Sequence, residues 1–482
     1  MSTAAEDVKF CLKVMINKEK TKVLLAEADA DLVDVLLSFL TLPLGTIVRI
    51  LENHYGDEAP VLGSLTTLRK GLSVLDRAHF SAESIKQMLL NPVSSFEAEY
   101  RKLKLNIDDT QPPKYFMCED GHRYSKIGMY HSGAGKCGCG KPLNKEISIK
   151  NAPETADNCD DDGGVFSLKT ASFIITDDMR MVPNVAGSIM QTLKNLEITD
   201  TLGAELRNVT FGFNEVMDLL KGLFLAGTPL TDIIFKERQV NRFVKRKTES
   251  RIPLHNFEKE ANSDSNPKGM ILKFTVQKST SKLLFAQAEE DFVCFIFSLL
   301  AIPLGGVASL LGGSSSVKNV DNLYWSVANI DGDKYLKIKD TKAMLLKPKV
   351  SHGYISKGHI LPLEERAPSL YYCQDKNGSY LSHLDNGYRV SSYMSPGGDG
   401  KYVKGSRMYM VTDDLTVTPL CMSTTLSILN LLEIPLSDVK EVELHIGLEE
   451  ALTMLKASLT STNALTSLIN LLSIKKCLKT EK

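Results

Sequence analysis

The sequence predicts an α+β fold with two homologous domains from an internal duplication, each with β-hairpins packed on helices. The first observation is a repeat: LKVMINKEKTKVLLAEADADLVDVLLSFLTLPLG, residues 12–45, returns without a gap as LKFTVQKSTSKLLFAQAEEDFVCFIFSLLAIPLG, residues 272–305. The second is that apolar residues in each copy change from strand spacing to helical spacing. The third is that hairpins and helices follow one another without regular βαβ alternation. The copies lie farther apart than the roughly 20–50 residues of a solenoid repeat, which indicates a duplicated domain.

Length and composition are those of a soluble, multidomain globular protein. A chain of 482 residues is too long for one ordinary core, and 43% hydrophobic with 24% charged residues is typical of soluble domains. The net charge of -1 provides no overall attraction for nucleic acid or an anionic membrane. We find no signal peptide and no apolar run long enough to span a bilayer, and the nine cysteines are scattered. We therefore expect a cytoplasmic protein, with the nucleus as the alternative.

The first domain begins with a predicted hairpin, whose strands 14–16 and 23–26 flank a polar turn at Asn17. Residues 32–40 keep helical apolar spacing, so they predict a helix. A proline then interrupts the pattern and suits the first turn of a short second helix over 44–51.

The rest of the first domain mixes helices with a second hairpin. Periodicity and turn residues predict helices near Leu62–Leu75 and Ser81–Leu90, a hairpin of Phe173–Thr176 with Met179–Val182, a helix over Val185–Leu196, a strand over Leu206–Phe213 and a helix over Glu215–Leu225.

The same order of signals returns in the second half, where residues 409–414 correspond to residues 173–178. Between the halves lies a polar, charged segment with few large apolar residues, as expected of a linker. We therefore predict a first domain over 8–235, a linker over 236–269 and a second domain over 270–475.

A Cys- and Gly-rich ribbon inserted at 114–142 is the strongest candidate for a site. Cys118 and His122 precede a loop, and Cys137 and Cys139 follow it. Two ligand pairs on two turns are typical of a zinc ribbon, because thiolates and imidazole satisfy tetrahedral Zn²⁺. Four protein ligands leave no position for substrate, so the sequence predicts a structural zinc site.

Two alternatives to this ligand set stay open. His131 can replace His122 as a ligand, or the segment is a Gly-rich hairpin with unligated thiols. The second half keeps Cys373 but has no cysteine pair after it. We therefore expect the second domain to lack the Cys ribbon and its metal.

Paired carboxylates recur at Asp177-Asp178 and Asp413-Asp414. Adjacent acids can bind a cation or act as acid and base. Neighbouring strand residues point to opposite faces, however, and Thr-Asp-Asp between two β-type runs is ordinary turn chemistry. We favour the turn.

Three further features have a structural interpretation that we prefer. Pro43-Leu-Gly45 and Pro303-Leu-Gly305 can present a helix N-terminus to an anion, but the flanking leucines favour a kinked turn between helices. The basic cluster around Lys245 can contact phosphate, but an interrupted cluster is typical of a solvated linker. Trp325 lies in an apolar helical pattern, which predicts core packing.

The motif KTKVLLAEADADLVDVLLSFLTLPLG and the repeated T-D-D-[ML]-x-[MV]-x-P segment, residues 176–183 and 412–419, resemble a known family. They are similar to the plant proteins gathered as domain of unknown function 674, and the resemblance covers nearly the whole chain. It implies a plant protein but no activity. Members often have paired Cys-x-x-Cys knuckles in the first-half ribbon, from which His122 and the tight Cys-x-Cys spacing depart.

No standard catalytic signature is present, and we predict no catalytic residue and no organic cofactor. The leading hypothesis is a non-enzymatic interaction or scaffold protein with a structural zinc site and an unidentified protein partner. The alternative is a small-ligand binder or enzyme that uses the cleft between the repeats, with the four aspartates at its rim. A weaker alternative is a zinc-dependent nucleic-acid contact through the ribbon and the Lys245 cluster.

Overall fold

The computed structural model describes residues 8–120, 126–130, 135–150, 164–235, 269–280, 282–356, 359–376, 378–385, 387–395, 401–405 and 407–470. Helices and antiparallel sheets are mixed along the chain, as the predicted α+β class requires. The predicted linker lies outside these residues except for its last position.

The N-terminal half contains eight strands and eight α-helices among its described residues. In chain order they are β1 (Phe10–Ile16), β2 (Val23–Asp29), α1 (Ala30–Ser38), α2 (Leu44–Tyr55), α3 (Gly63–Val74), α4 (Glu83–Leu90), α5 (Glu97–Tyr100), β3 (Tyr115–Met117), β4 (Ile127–Met129), β5 (Lys145–Ile147), β6 (Ser172–Thr176), β7 (Met181–Pro183), α6 (Ser188–Asn195), β8 (Glu205–Phe211), α7 (Phe213–Leu225) and α8 (Pro229–Ile234).

The C-terminal half repeats this order with more short strands. Its elements are β9 (Met270–Gln277), β10 (Leu283–Ala288), α9 (Glu290–Ser298), α10 (Leu304–Leu310), α11 (Lys318–Asn329), α12 (Gly332–Tyr335), α13 (Thr341–Leu346), β11 (Val350–Ser351), β12 (Glu365–Arg366), β13 (Tyr371–Asp375), β14 (Gly378–Ser382), β15 (Tyr388–Arg389), β16 (Tyr393–Met394), β17 (Tyr409–Val411), β18 (Val417–Pro419), α14 (Met422–Leu431), β19 (Val439–Ile446) and α15 (Leu448–Thr460). Residues 464–470 are also helical.

The two large sheets have the same strand order. One runs β7-β6-β2-β1-β8 and the other β18-β17-β10-β9-β19. The predicted hairpins are confirmed, since β1 pairs with β2 and β6 with β7. In each half the last strand returns to the first, so that Phe10 lies opposite Phe211. Sequence spacing did not predict this long-range pairing.

Each sheet buries one face in a shared core and covers the other with one helix. Along β1 the residues at alternate positions from Phe10 to Ile16 are buried, as a half-buried strand requires. The core on this face includes residues of both halves in one continuous cluster. On the opposite faces α6 covers the first sheet and α14 the second.

The two halves meet at the repeated Pro-Leu-Gly segment. Pro43 and Pro303 form an antiparallel bridge. The N–H of Leu44 donates to the carbonyl of Ile302, and the N–H of Leu304 donates to that of Leu42, each at 3.0 Å. The centre of the molecule therefore has a local twofold relation.

Each half also places one helix against the other half's sheet and against the helix that follows the last strand of that sheet. Helix α3 packs against α15 and β18, and α11 packs against α7 and β7. We call this arrangement the helix exchange. Equivalent side chains make equivalent bonds: Ser64 Oγ donates to the carbonyl of Ser461 at 2.8 Å, and Asn319 Nδ2 to that of Ala226 at 2.7 Å.

The start of α4 corrects one expectation. The sequence suggested a helix from Ser81, but α4 begins at Glu83. The backbone N–H of Ser81 donates to the carbonyl of Tyr402 at 2.9 Å. Ser81 thus contacts the C-terminal half and lies before the helix.

Candidate metal centre

The ribbon is a small sheet with strands from both halves. Its order is β16-β4-β3-β5, so β16 from the C-terminal half completes it. Strand β3 ends at Met117 and is followed directly by Cys118. Cys137 lies in a tight turn, in which the N–H of Gly140 donates to its carbonyl at 2.9 Å. Gly140 has φ 86°, a conformation that glycine adopts without strain.

The strand end and the turn bring three thiols together. The sulfur atoms of Cys118, Cys137 and Cys139 all lie within 4.8 Å of one another. Cys118 and Cys137 are buried, and Cys139 is exposed. A tetrahedral zinc ion with Zn–S bonds of about 2.3 Å places its sulfurs about 3.8 Å apart. The triad therefore needs only small shifts to bind a thiophilic metal.

The electrostatics of the triad also favour a cation. The backbone N–H of Cys139 stabilises the thiolate of Cys137, but burial and the thiols of Cys139 and Cys118 raise its pKa above the ordinary value. Three adjacent thiolates repel one another unless a cation lies between them. A metal ion supplies that charge and keeps its thiol ligands deprotonated.

Two predicted ligands cannot be placed. His122 and the substitute His131 lie outside the described residues, as does the basic cluster around Lys245. Cys373 lies on β13, where its Sγ is 3.8 Å from the carbonyl oxygen of Tyr371.

The paired carboxylates are turn residues, and that interpretation is confirmed. Asp177 accepts from the N–H and the hydroxyl of Thr231, at 2.9 and 2.6 Å. Asp413 accepts from the same two groups of Thr466, at 2.8 and 2.6 Å. The first aspartate of each pair thus binds the first turn of a following helix. These hydrogen bonds engage Asp177 and Asp413, two of the four aspartates that the cleft hypothesis placed at the rim of a cleft between the repeats.

The second aspartate of each pair closes its own turn. Asp178 accepts from the hydroxyl of Thr176 at 2.7 Å, and Asp414 from that of Thr412 at 2.5 Å. Asp178 also lies 3.1 Å from Lys318 Nζ, a residue of α11. The turns are therefore part of the helix exchange.

The Pro-Leu-Gly segments are turns between helices, as preferred. The N–H of Leu44 at the start of α2 already donates to Ile302, so it is not offered to an anion.

Trp325 corrects another expectation. Its side chain is 47% exposed and does not pack in the core. The indole Nε1 donates to the carbonyl of Gly313 at 3.0 Å. Gly313 has φ 69°, and a Cβ there would lie 2.6 Å from the ring. The indole therefore packs against the backbone of the turn at Gly313.

A feature that the sequence reasoning missed is a set of exposed apolar side chains on α14 and on the turn that follows it. Met422, Leu431 and Leu436 are 79%, 81% and 73% exposed, and Leu426 and Leu432 are also exposed. We call these five residues the α14 face. Residues 421–432 contain no charged side chain, a signal that was present in the sequence. Several exposed large apolar side chains on one element favour an interaction site more than single scattered ones do.

Cys421, which precedes the helix, has an unusual thiol. Hydrogen bonds with the hydroxyls of Ser423 and Thr424 lower the pKa of Cys421 to about 7. Its Sγ lies 3.0 Å from Ser423 Oγ and 3.3 Å from Thr424 Oγ1. This thiol is exposed, so it is open to reagents in solution.

Within the described ranges, no helix combines the length and apolar character needed to cross a membrane.

Comparison with known proteins identifies the family. Neither the curated proteins nor the solved structures include a match to the chain. The model of a family described as "Protein of unknown function (DUF674)" matches residues 6–448, and a second, overlapping match covers residues 389–482. The first match alone spans most of the chain, and the chain therefore belongs to the DUF674 family.

Proposed function

We propose that this protein is a non-enzymatic interaction protein, in which the α14 face binds a second copy of the chain and the cysteine triad holds a structural metal ion. The observation that carries the proposal is the contrast between α14 and its counterpart α6. Both helices cover the outer face of a sheet in the same fold. Helix α14 and the turn after it expose Met422, Leu426, Leu431, Leu432 and Leu436, whereas the large apolar side chains that α6 exposes are Ile189 and Met190.

The contrast is visible position by position. Leu429 of α14 and Leu193 of α6 are equivalent and buried against their sheets. With this alignment, the exposed positions Met422, Leu426, Leu431 and Leu436 correspond to Ala186, Met190, Asn195 and Asp200. Three of these four counterparts are small or polar, so a covering helix in this fold does not require apolar residues at those three positions of α14. Their role lies on the outside of the molecule.

Charge distribution favours a second copy as the occupant. Because residues 422–432 have no ionisable side chain, two α14 faces can meet without like charges opposing each other along the helix. Ten helical residues span about 15 Å. In an antiparallel pair about a twofold axis, Glu433 of each chain lies near the N-terminus of the other α14, where a negative charge is favourable. Five side chains make few contacts compared with the roughly 20–30 residues per partner of a standard interface, so we expect a micromolar dimer.

Sedimentation velocity of the full-length chain at rising concentration tests this interface. We expect a monomer–dimer equilibrium that Leu431→Asp shifts by at least about tenfold towards monomer. The matched control is Asn195→Asp, the same charge at the equivalent position of α6, which should leave the equilibrium unchanged. A parent protein that stays monomeric at 100 µM, or a dimer that persists in Leu431→Asp, would overturn the proposal.

The metal part of the proposal rests on the convergence of Cys118, Cys137 and Cys139. Zinc is the ion that we propose, with His122 as the fourth ligand and a structural role. The test is metal analysis of purified protein, with Cys137→Ser as the variant and Cys373→Ser as its control. About one equivalent of zinc in the parent and control, and none in Cys137→Ser, supports the site. Equal metal in all three proteins removes it.

We also propose that residues 8–235 and 270–475 are two copies of one ancestral module, joined by the 236–269 linker. The matching strand orders and the equivalent bonds of the helix exchange support this origin. A cytoplasmic location in a plant cell completes the proposal. It accords with the seven described cysteines, which are all free thiols.

A further inference from the structure

We infer that metal binding at the cysteine triad fastens the C-terminal half to the ribbon, because strand β16 and the triad share one small core. This inference rests on the metal site proposed above. It assigns to that site the task of joining two parts of the chain that are far apart in sequence.

The backbone of β16 is bound directly to the ribbon. Tyr393 and Met394 run parallel to β4, opposite Ile127 and Gly128. The N–H of Ile127 donates to the carbonyl of Ser392 at 3.1 Å. The pair is only two residues long, and so short a strand is not stable without support.

The support comes from the side of the ribbon that carries the thiols. Met394 packs against a cluster formed by Phe116, Cys118, Cys137 and Leu143. Two of the four members of this cluster are proposed metal ligands. Any ordering of their side chains by a metal therefore orders the surface on which Met394 rests.

Gly135 brings the same methionine close to the turn that carries Cys137 and Cys139. A Cβ at Gly135 would lie 3.1 Å from three carbon atoms of Met394, so the methionine fills the space that glycine leaves. The carbonyl of Gly135 also accepts from the N–H of Leu143 at 3.1 Å. Met394 is thus enclosed between the two chain segments that a bound metal would connect.

The other side of β16 faces the body of the C-terminal half. Tyr393 belongs to a second cluster with Leu370, Tyr372 and Leu381 of that half. Its carbonyl oxygen lies 3.4 Å from Nε2 of His352. Free energy gained by ordering the triad is therefore transmitted through β16 to a second surface.

The ribbon alone has little else to hold it together. Strands β3, β4 and β5 have three residues each. Small ribbons of this kind gain their folding free energy largely from the metal. By thermodynamic linkage, a metal that stabilises β16 docking must itself be bound more tightly when β16 is docked.

Hydrogen–deuterium exchange of the full-length protein, with chelator or with one equivalent of zinc, tests this coupling. We expect zinc to slow exchange in peptides that cover 126–129 and 387–395, by about tenfold or more. Peptides that cover the β17–β18 hairpin should not change. Met394→Ala should still bind one equivalent of zinc, with affinity weakened on the order of tenfold, and should lose the added protection at 126–129. Met408→Ala, which truncates a half-exposed methionine outside the ribbon, is the control and should behave as the parent.

The possible failures are distinct. Binding of zinc by the three cysteines with unchanged exchange at 126–129 overturns the coupling and leaves the metal site intact. Protection that is retained in Met394→Ala also overturns it. Absence of zinc binding in the parent removes the metal site and the coupling together.

Discussion

Pro43 and Pro303 face each other in an antiparallel bridge at the centre of the molecule. The glycine two positions after each proline lies in contact with the other half. A Cβ at Gly45 would lie 3.0 Å from the carbonyl oxygen of Leu300, and one at Gly305 would lie 3.0 Å from that of Leu40. Glycine is therefore favoured at both positions, because the close contact between the halves leaves little room for a side chain.

Gly305→Ala should destabilise the protein by about 1–3 kcal/mol, the usual cost of overpacking a core. The added methyl group would also lie 2.6 Å from the carbonyl oxygen of Leu345, which belongs to backbone and cannot move aside easily. Urea unfolding followed by circular dichroism measures the effect.

The neighbouring glycine supplies the control for this prediction. A Cβ at Gly306 would lie 3.5 Å from Ile302 Cγ2, an ordinary contact. Because alanine is the better helix former, Gly306→Ala should be neutral or stabilising by up to about 1 kcal/mol. Equal destabilisation by both substitutions would contradict the proposed close contact.

Asn319→Ala should lower the free energy of unfolding by about 1–3 kcal/mol. Asn319 is buried in the helix exchange, and its Nδ2 donates to the carbonyls of Gly222 and Ala226 at 3.0 and 2.7 Å. Thermal unfolding can compare this variant with Asn329→Ala, which removes an exposed side chain from the same helix. A similar loss in both variants would contradict the importance of these hydrogen bonds, since alanine is the better helix former and helix propensity cannot cause the loss.

The ion pair of His352 and Glu365 should make stability depend on pH. The Nδ1 to Oε2 distance is 3.0 Å, and the hydrogen bond to Glu365 raises the pKa of His352 above its usual value of 6.5, against the effect of burial. The stabilisation is therefore complete below pH 6.5 and is lost as pH rises through the raised pKa. Burial tends to raise the pKa of Glu365, but bonds from His352, Ile355 and Gly353 lower it overall, so its contribution is lost only in acid.

His352→Gln should accordingly cost about 1–2 kcal/mol at pH 6 and less at pH 8. Unfolding midpoints of parent and variant at pH 6, 7 and 8 give the comparison. Two curves that run parallel across this range would show that the pair does not titrate as expected.

Cys421 should be the thiol that iodoacetamide modifies fastest at pH 7, with a rate midpoint near its pKa of about 7. Ser423→Ala removes one of the two hydroxyls that lower this pKa, so it should move the midpoint upward. Peptide mass spectrometry after brief alkylation measures the rate, with Cys11, another exposed thiol, as the internal reference. A midpoint that Ser423→Ala leaves in place would assign the shift to other groups.

Local signals in the sequence predicted much of the fold. The two hairpins, the turn role of Asp177 and Asp413 and most helices follow from short-range periodicity and turn chemistry. The return of β8 to β1 and the helix exchange were not predictable, because they join residues whose separation leaves no periodic signal.

The candidate metal site was also predictable only in part. The spacing of Cys118, Cys137 and Cys139 predicted their convergence, since two short turns on adjacent strands bring such residues together. The contribution of Met394 could not be predicted, because no spacing connects residue 394 with the ribbon. Trp325 was misplaced because an apolar helical pattern does not distinguish a buried indole from one seated on a glycine turn.

The helix exchange should determine how the protein responds to proteolytic cleavage between its two halves. Ser64 and Thr67 bind carbonyl groups of the C-terminal half, while Asn319 and Asn322 bind carbonyl groups of the N-terminal half. A protease that cleaves the chain between residues 236 and 268 should therefore leave two fragments that remain associated non-covalently, because each fragment supplies a helix that packs against the other. Deleting either half, by contrast, would expose the surface of the remaining half that the other half's helix covers.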